Sequence, residues 1–585
     1  MAVKYSSAYV GLHKSCDAGI CLLPVNGPLL ETEIILKERF VRVKHAGGPL
    51  DHFLFKIAKN GSIAEDCIAE NFAFWDPINA EQRWNESFPY FDNLKRLGLA
   101  SFTRHFNPNL RFFTHHYCHA RSAAALSPFE KSLIIVNDGG GNPWSDFTSK
   151  HEEAAFPPPP ALTGHAREFY TVYRQSGSRL SCVEKKWQPQ NPASADEVEG
   201  AAAGDISLGW LFTRASQYVF NSDWAQGKVM GLAAFGRPGA MKVKKRKIFF
   251  KNLDKGKRFT GSGKWAWEGC DLIEHYADIS AAVQEYFEQW LLDSAADLKR
   301  RFPREENLIL TGGCALNCVA NMKLAQSGLF SSIYVPPFPG DESTAFGAAC
   351  SLRYENPNES WQPWPWKSQV PNFGPRESEP DEKSCRIIFS GWNVRRLKDP
   401  AVTAAELLGQ HKVIAWFQGR SESGPRALGF RSIFANALQP GIKEYLNEVI
   451  KGRERFRPYG CSVLWEKASR YFCVPRGFES PFMSFAPRVR EEYRDLLGEI
   501  AHKDGTSRIQ TVRKSQNPLL HRCLQEVERS TGVGCILNTS LNVMGEPIVE
   551  TLRDLRLLLE KVPLDAAIAG GCLIENPIRK AARRR

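Results

Sequence analysis

The sequence predicts a mixed α/β protein, and three observations carry that expectation. Two apolar runs end in glycine-rich turns. Leu133-Ile-Ile-Val136 runs into Asn137-Asp138-Gly139-Gly140-Gly141, and Leu308-Ile-Leu310 into Thr311-Gly312-Gly313 and a helical stretch at 314–327. A strand, a glycine turn and a helix in succession is how α/β folds present backbone N–H groups to phosphates. Ile279, Val283, Phe287, Leu291 and Leu298 recur at helical spacing over 278–300, the stripe of an amphipathic helix against a core. The C-terminal part opens with Arg386-Ile-Ile-Phe. It then alternates strand-like runs at 413–417, 461–464, 535–537 and 566–574 with a helix at 551–561.

The remaining elements follow in order. Runs at 9–11 and 19–23, broken by a polar turn, read as a hairpin at a sheet edge with a ligand-facing loop. Residues 151–200, with four consecutive prolines from Pro157, read as an insertion or long loop. The stretch 356–384 is rich in proline and acids and holds Trp361, Trp364 and Trp366. It is the best domain boundary, and its tryptophans predict a linker packed on a domain. The expected layout is a domain over 1–355 carrying the 151–200 insertion, the linker, a second domain over 385–578 and a basic tail at 579–585.

Composition narrows the class. Of 585 residues, 43% are hydrophobic and 24% charged, which excludes a disordered, collagenous or coiled-coil chain. No apolar run of about 18 residues predicts a membrane span, and no signal peptide is read at the N-terminus. Fifteen cysteines, an odd number and never spaced C-x-x-C, point to reduced thiols in the cytoplasm. The net charge is +12, but the excess sits in 242–258 and in the tail. A general nucleic-acid face is therefore not indicated, and these read as a solvated segment and a frayed end.

The sharpest chemical signal is His115-His116-Tyr117-Cys118-His119 ahead of a helix-favouring stretch. On a helix, His115 and His119 share one face within reach of one cation. Asp138 and Asp341 stand at turn exits, and two nitrogens with two oxygens suit Fe(II), Mn(II) or Zn(II). The competing reading is a buried histidine cluster on backbone acceptors. A zincin would need Glu where His116 stands.

A second signal is the set of basic and polar residues in the C-terminal glycine turns. Arg420, Arg426, Arg431 and Ser432 surround one turn, and Lys451, Arg453, Arg455 and Arg457 follow. His502, Arg508, Asn538, Ser540 and Asn542 complete it. Arginine forks bind phosphate oxygens well, and no Walker pattern is present. Salt bridges to Glu422 and Glu454 are the competing reading. A third segment, Glu38-Arg39-Phe40-Val41-Arg42-Val43-Lys44-His45, reads as surface.

Together these motifs resemble the NodU/CmcH family of ATP-dependent O-carbamoyltransferases. The matching stretches include ERFVRVKH, HHYCHARSA, NDGGG, QGKVMGLAAFG, GGCALNCVAN, YVPPFPGDE, SGPRALGFRS, KGRERFRPYG, DGTSRIQTV and LNTSLN. They run in order along nearly the whole chain. The resemblance implies an N-terminal actin/sugar-kinase-like domain, a duplicated RNase H-like core. It implies a C-terminal YrdC-like domain that makes carbamoyl-adenylate from carbamoyl phosphate and ATP with Mg2+. The first domain would then pass the carbamoyl group to a hydroxyl of a small-molecule natural product at an Fe(II) site.

Carried over to this sequence, the metal ligands would be His115, His119, Asp138 and Asp341. Lys44, Gly139, Gly140, Gly141, Lys228, Gly312, Gly313 and Asn317 would surround the adenylate. Arg426, Arg431, Ser432, Lys451, Arg453, Arg457, His502, Arg508 and Asn538 would meet carbamoyl phosphate and ATP. The family motif His-Asp-Ser/Ala is here Cys16-Asp17-Ala18, so its histidine is missing, and His13, His116 and Cys16 are the candidate bases beside Asp17. The implied partners are carbamoyl phosphate, ATP and a hydroxyl-bearing acceptor, with homodimerisation allowed for. The same fold leaves tRNA threonylcarbamoyl transfer, or a non-catalytic metal- and nucleotide-binding module, as the alternatives.

Overall fold

The computed structural model describes residues 8–13, 16–25, 27–47, 50, 68–72, 111–149, 151–162, 166–189, 207–239, 253–376 and 379–577. The tail at 579–585, most of the lysines of 242–258 and the end of the expected insertion at 190–200 lie outside the described residues. Among the described residues no helix is long and apolar enough to cross a membrane.

The chain is a mixed α/β protein built on three sheets. The first contains β1 (Ala8–His13), β2 (Gly19–Pro24), β3 (Glu33–Leu36), β4 (Ile68–Phe72) and β5 (Arg111–Thr114), in the order β3-β2-β1-β4-β5. β1 pairs antiparallel with β2 and parallel with β4. The hairpin is therefore interior, and the expectation of an edge is corrected: β3 closes one side and β4 and β5 extend the other.

Helix α1 (His115–Ala125) follows β5 without a break. The second sheet is formed by β6 (Lys131–Asn137), β7 (Ala166–Ser176), β8 (Arg179–Pro189), β9 (Asn307–Thr311) and β10 (Ser332–Tyr334), in the order β10-β9-β6-β7-β8. β6 is antiparallel to β7 and parallel to β9. Both sheets thus place their first strand at the centre, an antiparallel meander on one side and two parallel strands on the other. β6 is apolar on both faces because helices cover both. One of these is α2 (Ile273–Arg301), whose Ile279, Val283, Phe287, Leu291 and Leu298 are buried at the predicted spacing.

Residues 166–189 are the largest departure from expectation. Much of the expected loop is a two-stranded ribbon of 11-residue strands turning at Gly177, whose φ is 59°. Glycine is needed there because the left-handed region strains any residue with a Cβ.

Helix α3 (Thr344–Glu355) packs between β1 and α1. A Cβ on Gly11 would lie 1.8 Å from the Ala345 carbonyl, and one on Gly347 would lie 1.9 Å from that of Cys118. The linker packs as predicted: Trp364 is buried, and Trp361 donates its indole N–H to Ala124 O at 3.1 Å. Arg386-Ile-Ile-Phe, placed among the strands of the C-terminal part, belongs to helix α4 (Glu382–Ile388) and its C-cap.

The third sheet is C-terminal. Its strands are β11 (Asn393–Arg396), β12 (Ile414–Phe417), β13 (Arg431–Asn436), β14 (Gly460–Leu464), β15 (Ile509–Val512), β16 (Cys535–Ser540), β17 (Ala566–Ala569) and β18 (Cys572–Glu575). The order is β11-β18-β17-β12-β13-β16-β14-β15. Helix Leu552–Lys561 carries the capping box Thr551/Asp554.

The two halves are clasped by arginines. Arg39 is buried and bonds Glu550 at 3.2 Å and the Gly424 carbonyl at 3.0 Å. Arg42 donates to the carbonyls of Ile548 (2.8 Å) and Pro547 (2.9 Å). Arg420 donates to those of Leu30 (3.2 Å) and Thr32. The segment from Glu38 to His45, expected at the surface, is thus an interdomain contact. Arg39 and Arg42 find these partners only once both halves are folded, whereas Glu38 accepts the His45 N–H within the segment.

Candidate functional site

His115 opens α1 and His119 follows one turn later, so both imidazoles project from one face. The orphan N–H groups of this helix start go to side chains: His115 N donates to Asn142 Oδ1 at 2.7 Å and His116 N to Glu168 Oε1 at 3.4 Å. Asp138 lies at the exit of β6. Its Oδ1 accepts the Gly313 N–H at 2.9 Å, and its Oδ2 lies 3.2 Å from His115 Nε2. Asp341, in the turn before α3, places Oδ1 3.4 Å from His115 Nε2 and 3.5 Å from His119 Nε2. The two Nε2 atoms are 3.1 Å apart. His119 Nδ1 is set by Ser343 Oγ at 3.2 Å, the kind of outer partner that fixes a ligand imidazole.

One donor atom from each of these four residues falls within a 4.8 Å span. The electrostatics call for positive charge. Burial disfavours a charged His115, yet Asp341 and Asp138 overcome it and push the imidazole up to about 10. Burial would raise both carboxyls, but the imidazoles hold them below the usual range. Two imidazoles and two carboxylates converging in this way fit a borderline divalent cation.

The glycine turns lie beside this knot. β6 and β9 are parallel neighbours, so 139–141 and 312–313 leave the sheet at the same end. Gly312 has φ 84°, and a Cβ there would lie 2.3 Å from Asn137 O. Close approach of the two turns therefore demands glycine.

A second centre gathers cations. Lys44, Arg426, Lys451, Arg453, Arg457 and Arg508 each act electrostatically on at least one other of the set. Burial, then Arg453, Arg457 and Lys44, hold Lys451 well below the ordinary lysine range. Burial and neighbouring arginines bring Arg457 down to about 10 and Arg508 to about 9. Lys451 Nζ is held by Ser540 and by Asn542, whose carbonyl and Oδ1 both lie at 2.9 Å. Arg508 Nε is buried without a hydrogen-bond partner. The nearby carboxylates are partly engaged: Glu454 takes Lys228 at 2.7 Å and Arg457 at 3.5 Å. This many crowded cations can bind a polyanion.

The carbamoyltransferase N-terminus family matches residues 79–350, and the carbamoyltransferase C-terminus family matches 405–576. Nodulation protein NolO of Bradyrhizobium diazoefficiens is 31% identical over 486 residues, covering 79% of this chain and 78% of that protein. The chain belongs to the carbamoyltransferase family.

Two further relatives are longer than the shared part. Nodulation protein NolNO of Sinorhizobium fredii is 32% identical over 80% of this carbamoyltransferase, which spans 64% of it. The 3'-hydroxymethylcephem-O-carbamoyltransferase of Amycolatopsis lactamdurans is 31% identical over 59% of this chain and 64% of its own. Among solved structures, full-length HypF in its phosphate- and nucleotide-bound form shares 12% identity at a TM-score of 0.36 over 62% of this chain and 48% of its own, a likeness too slight to fix the fold.

The carbamoyltransferase departs from the sequence expectations at several residues. Arg431 is buried. Its guanidinium donates to the carbonyls of Gln418 (2.9 Å) and Gly419 (3.0 Å) and covers the Phe417 ring. It braces a loop rather than facing phosphate. Ser432 Oγ accepts from Gly429 N, and Asn538 Nδ2 donates to Ser462 Oγ and Gln510 Oε1, so both are internal ties. Asn317 caps the helix Cys318–Gln326 and pairs with Gln284. Glu422, whose salt bridges were the competing reading, accepts the N–H groups of Leu428 and Arg431.

His502 is brought down to about 4 by burial. It lines a different cleft of about 1140 Å³ with Phe235, Trp267 and Phe456, which none of the six cations lines.

The candidate bases fare poorly. His13 Nε2 lies 2.9 Å from Cys16 O, and burial lowers its imidazole to about 4. His116 is buried against Thr171 Oγ1 at 2.8 Å and Glu168, with its pKa brought down to about 3 by burial. Sequence reasoning missed Glu168, Asn142 and Ser343. Ser343, two residues after Asp341, carried a signal in its position; Glu168 lay in a segment read as loop.

Proposed function

We propose that this carbamoyltransferase joins carbamoyl phosphate and ATP, with Mg2+, into carbamoyl-adenylate at the six-cation centre. The carbamoyl group then passes to a hydroxyl of a small-molecule natural product at the His115/His119/Asp138/Asp341 knot. The observation that carries this reading is the pairing of two built centres of opposite demand, one for a cation and one for a polyanion, with Lys228 of the N-terminal half reaching the second through Glu454. The repeated strand order of the first two sheets supports a duplicated RNase H-like domain. A YrdC-like domain over 385–578 is the corresponding reading of the third sheet.

His115, His119, Asp138 and Asp341 would hold Fe(II), which supplies Lewis-acid polarisation of the carbamoyl carbonyl. The chain's own residues do the rest. Lys451, Arg453, Arg457, Arg426 and Arg508 bind and orient the phosphates. Lys44 and Lys228, on the N-terminal side, meet the adenylate as it crosses. An internal passage keeps a hydrolysable mixed anhydride from bulk water.

The test is pyrophosphate release from ATP and carbamoyl phosphate without an acceptor, with bound carbamoyl-adenylate measured after quenching. Both products are expected. His119→Ala should lose metal and transfer while still releasing pyrophosphate. Absence of pyrophosphate and adenylate from the metal-replete chain refutes the reading.

A further inference from the structure

We propose that His45, oriented by Asp17, takes the proton from the acceptor hydroxyl. The inference rests on the function proposed above and assigns a base where Cys16 occupies the motif position. His45 Nδ1 lies 3.0 and 3.2 Å from the two carboxylate oxygens of Asp17, and its backbone N–H donates to Glu38 Oε2 at 3.0 Å. The ring stacks on Trp224 at 4.4 Å and 16°. With Nδ1 tied to a carboxylate and the ring face covered, the imidazole is fixed in plane and tautomer, and Nε2 makes no hydrogen bond among the described residues. A carboxylate behind one ring nitrogen and an open second nitrogen is the arrangement that general bases use.

Position supports the role. Asp17 and His45 both have left-handed backbones, with φ 61° and 56°. Neither is glycine, and such strain is held where the surrounding structure insists on it. Their two loops are sewn together by Ala18 N to Ala46 O at 3.1 Å and Lys37 N to Ala18 O at 2.8 Å. The Asp17 loop starts from His13, whose Nε2 is 4.0 Å from Asp341 Oδ2 and 2.9 Å from Cys16 O. Lys44, adjacent to His45, belongs to the six-cation centre, and Trp224 stands four residues before Lys228. The pair therefore lies between the two centres, where an acceptor must meet the adenylate.

The step balances. The acceptor O–H gives its proton to His45 Nε2 as its oxygen bonds the carbamoyl carbon. The bond from that carbon to the phosphate oxygen breaks, and AMP leaves with the electron pair. The imidazolium then returns the proton to solvent. His45 is the catalytic residue and Asp17 a positioning residue.

The experiment uses the full chain, metal-replete, with ATP and carbamoyl phosphate. It follows single-turnover decay of bound carbamoyl-adenylate with two nucleophiles. Water is a hydroxyl that needs a base; hydroxylamine attacks unaided and yields hydroxyurea. In His45→Asn the rate with water should fall about 100-fold more than the rate with hydroxylamine. Asp17→Asn should move the same ratio in the same direction, which a merely structural brace would not do. Metal content and pyrophosphate release report whether each variant is folded. Equal losses with both nucleophiles, no loss with either, or loss of metal together with the ratio unchanged overturns the assignment. No pyrophosphate from the wild-type chain overturns the function and the base with it.

Discussion

Substituting Gly347 with alanine tests whether the metal knot depends on how closely two helices approach. Gly347 lies on α3, and a Cβ there would sit 1.9 Å from the carbonyl oxygen of Cys118 on α1. A normal contact is about 3.4 Å, so α3 must retreat by about 1.5 Å or α1 must bend. Retreat toward β1 is blocked, because Gly11 already brings the Ala345 carbonyl against that strand. Cys118 lies between His115 and His119, and α3 follows directly on Asp341 and Ser343. The displacement is thus imposed across the donor set, whose tolerance is about 0.2 Å. Overpacking of this kind costs about 1–3 kcal/mol.

Gly347→Ala should therefore purify with metal well below one per chain and lose acceptor carbamoylation, while pyrophosphate release by the C-terminal half persists. Gly571→Ala, where a Cβ meets nothing within 4 Å, is the control. Metal analysis and a pyrophosphate assay on the same preparations decide it. Full metal occupancy in folded Gly347→Ala would refute the reasoning.

Lys451→Met should abolish pyrophosphate release by removing the amine that Ser540 and Asn542 hold in the cation centre, and it should lower the melting temperature modestly because those acceptors lose their donor. Because burial and neighbouring cations hold Lys451 well below its ordinary range, an arriving phosphate should draw a proton onto it; calorimetry in buffers of different ionisation enthalpy should show proton uptake on binding. Arg431→Met should lower stability by about 3 kcal/mol, from the carbonyls it leaves unpaired, with no selective rise in KM for ATP; denaturation and initial rates separate the two. Burial would raise the Glu168 carboxyl, but His116 and Lys185 outweigh it and hold it at about 2, against 4.5 when unfolded. Its contribution of about 3 kcal/mol is fully present above pH 4.5 and is lost as pH falls toward 2. Melting curves across that range should steepen less in Glu168→Gln.

What the sequence revealed follows from the range over which each signal acts. The strand-to-glycine turns at Asp138 and Gly312 and the helix over 551–561 are local, and their patterns are spelled in adjacent letters. His115 and His119 are legible because one helical turn brings them together; adding Asp138 and Asp341 needed only that both stand at turn exits. The ribbon at 166–189 was hidden by the prolines before it, although its two-residue turn at Gly177 was a hairpin signal. Arg431 illustrates the converse. An arginine in a glycine-rich loop reads as a phosphate ligand until burial shows it satisfied by the Gln418 and Gly419 carbonyls. The bonds from Arg39 to Glu550 and from Arg420 to Leu30 join residues hundreds of positions apart, and no local pattern encodes such a partner.

The arginine clasp has an asymmetry that bears on how this molecule tolerates change. Arg42 ends on the carbonyls of Ile548 and Pro547, Arg420 on those of Leu30 and Thr32, and one branch of Arg39 on that of Gly424. A main-chain oxygen is supplied by any amino acid, so the receiving bank can drift in sequence and still be gripped. Within this clasp the constraint falls on the three donor positions, and on the receiving bank only Glu550 and, more distantly, Glu546 are met through their side chains among the described residues.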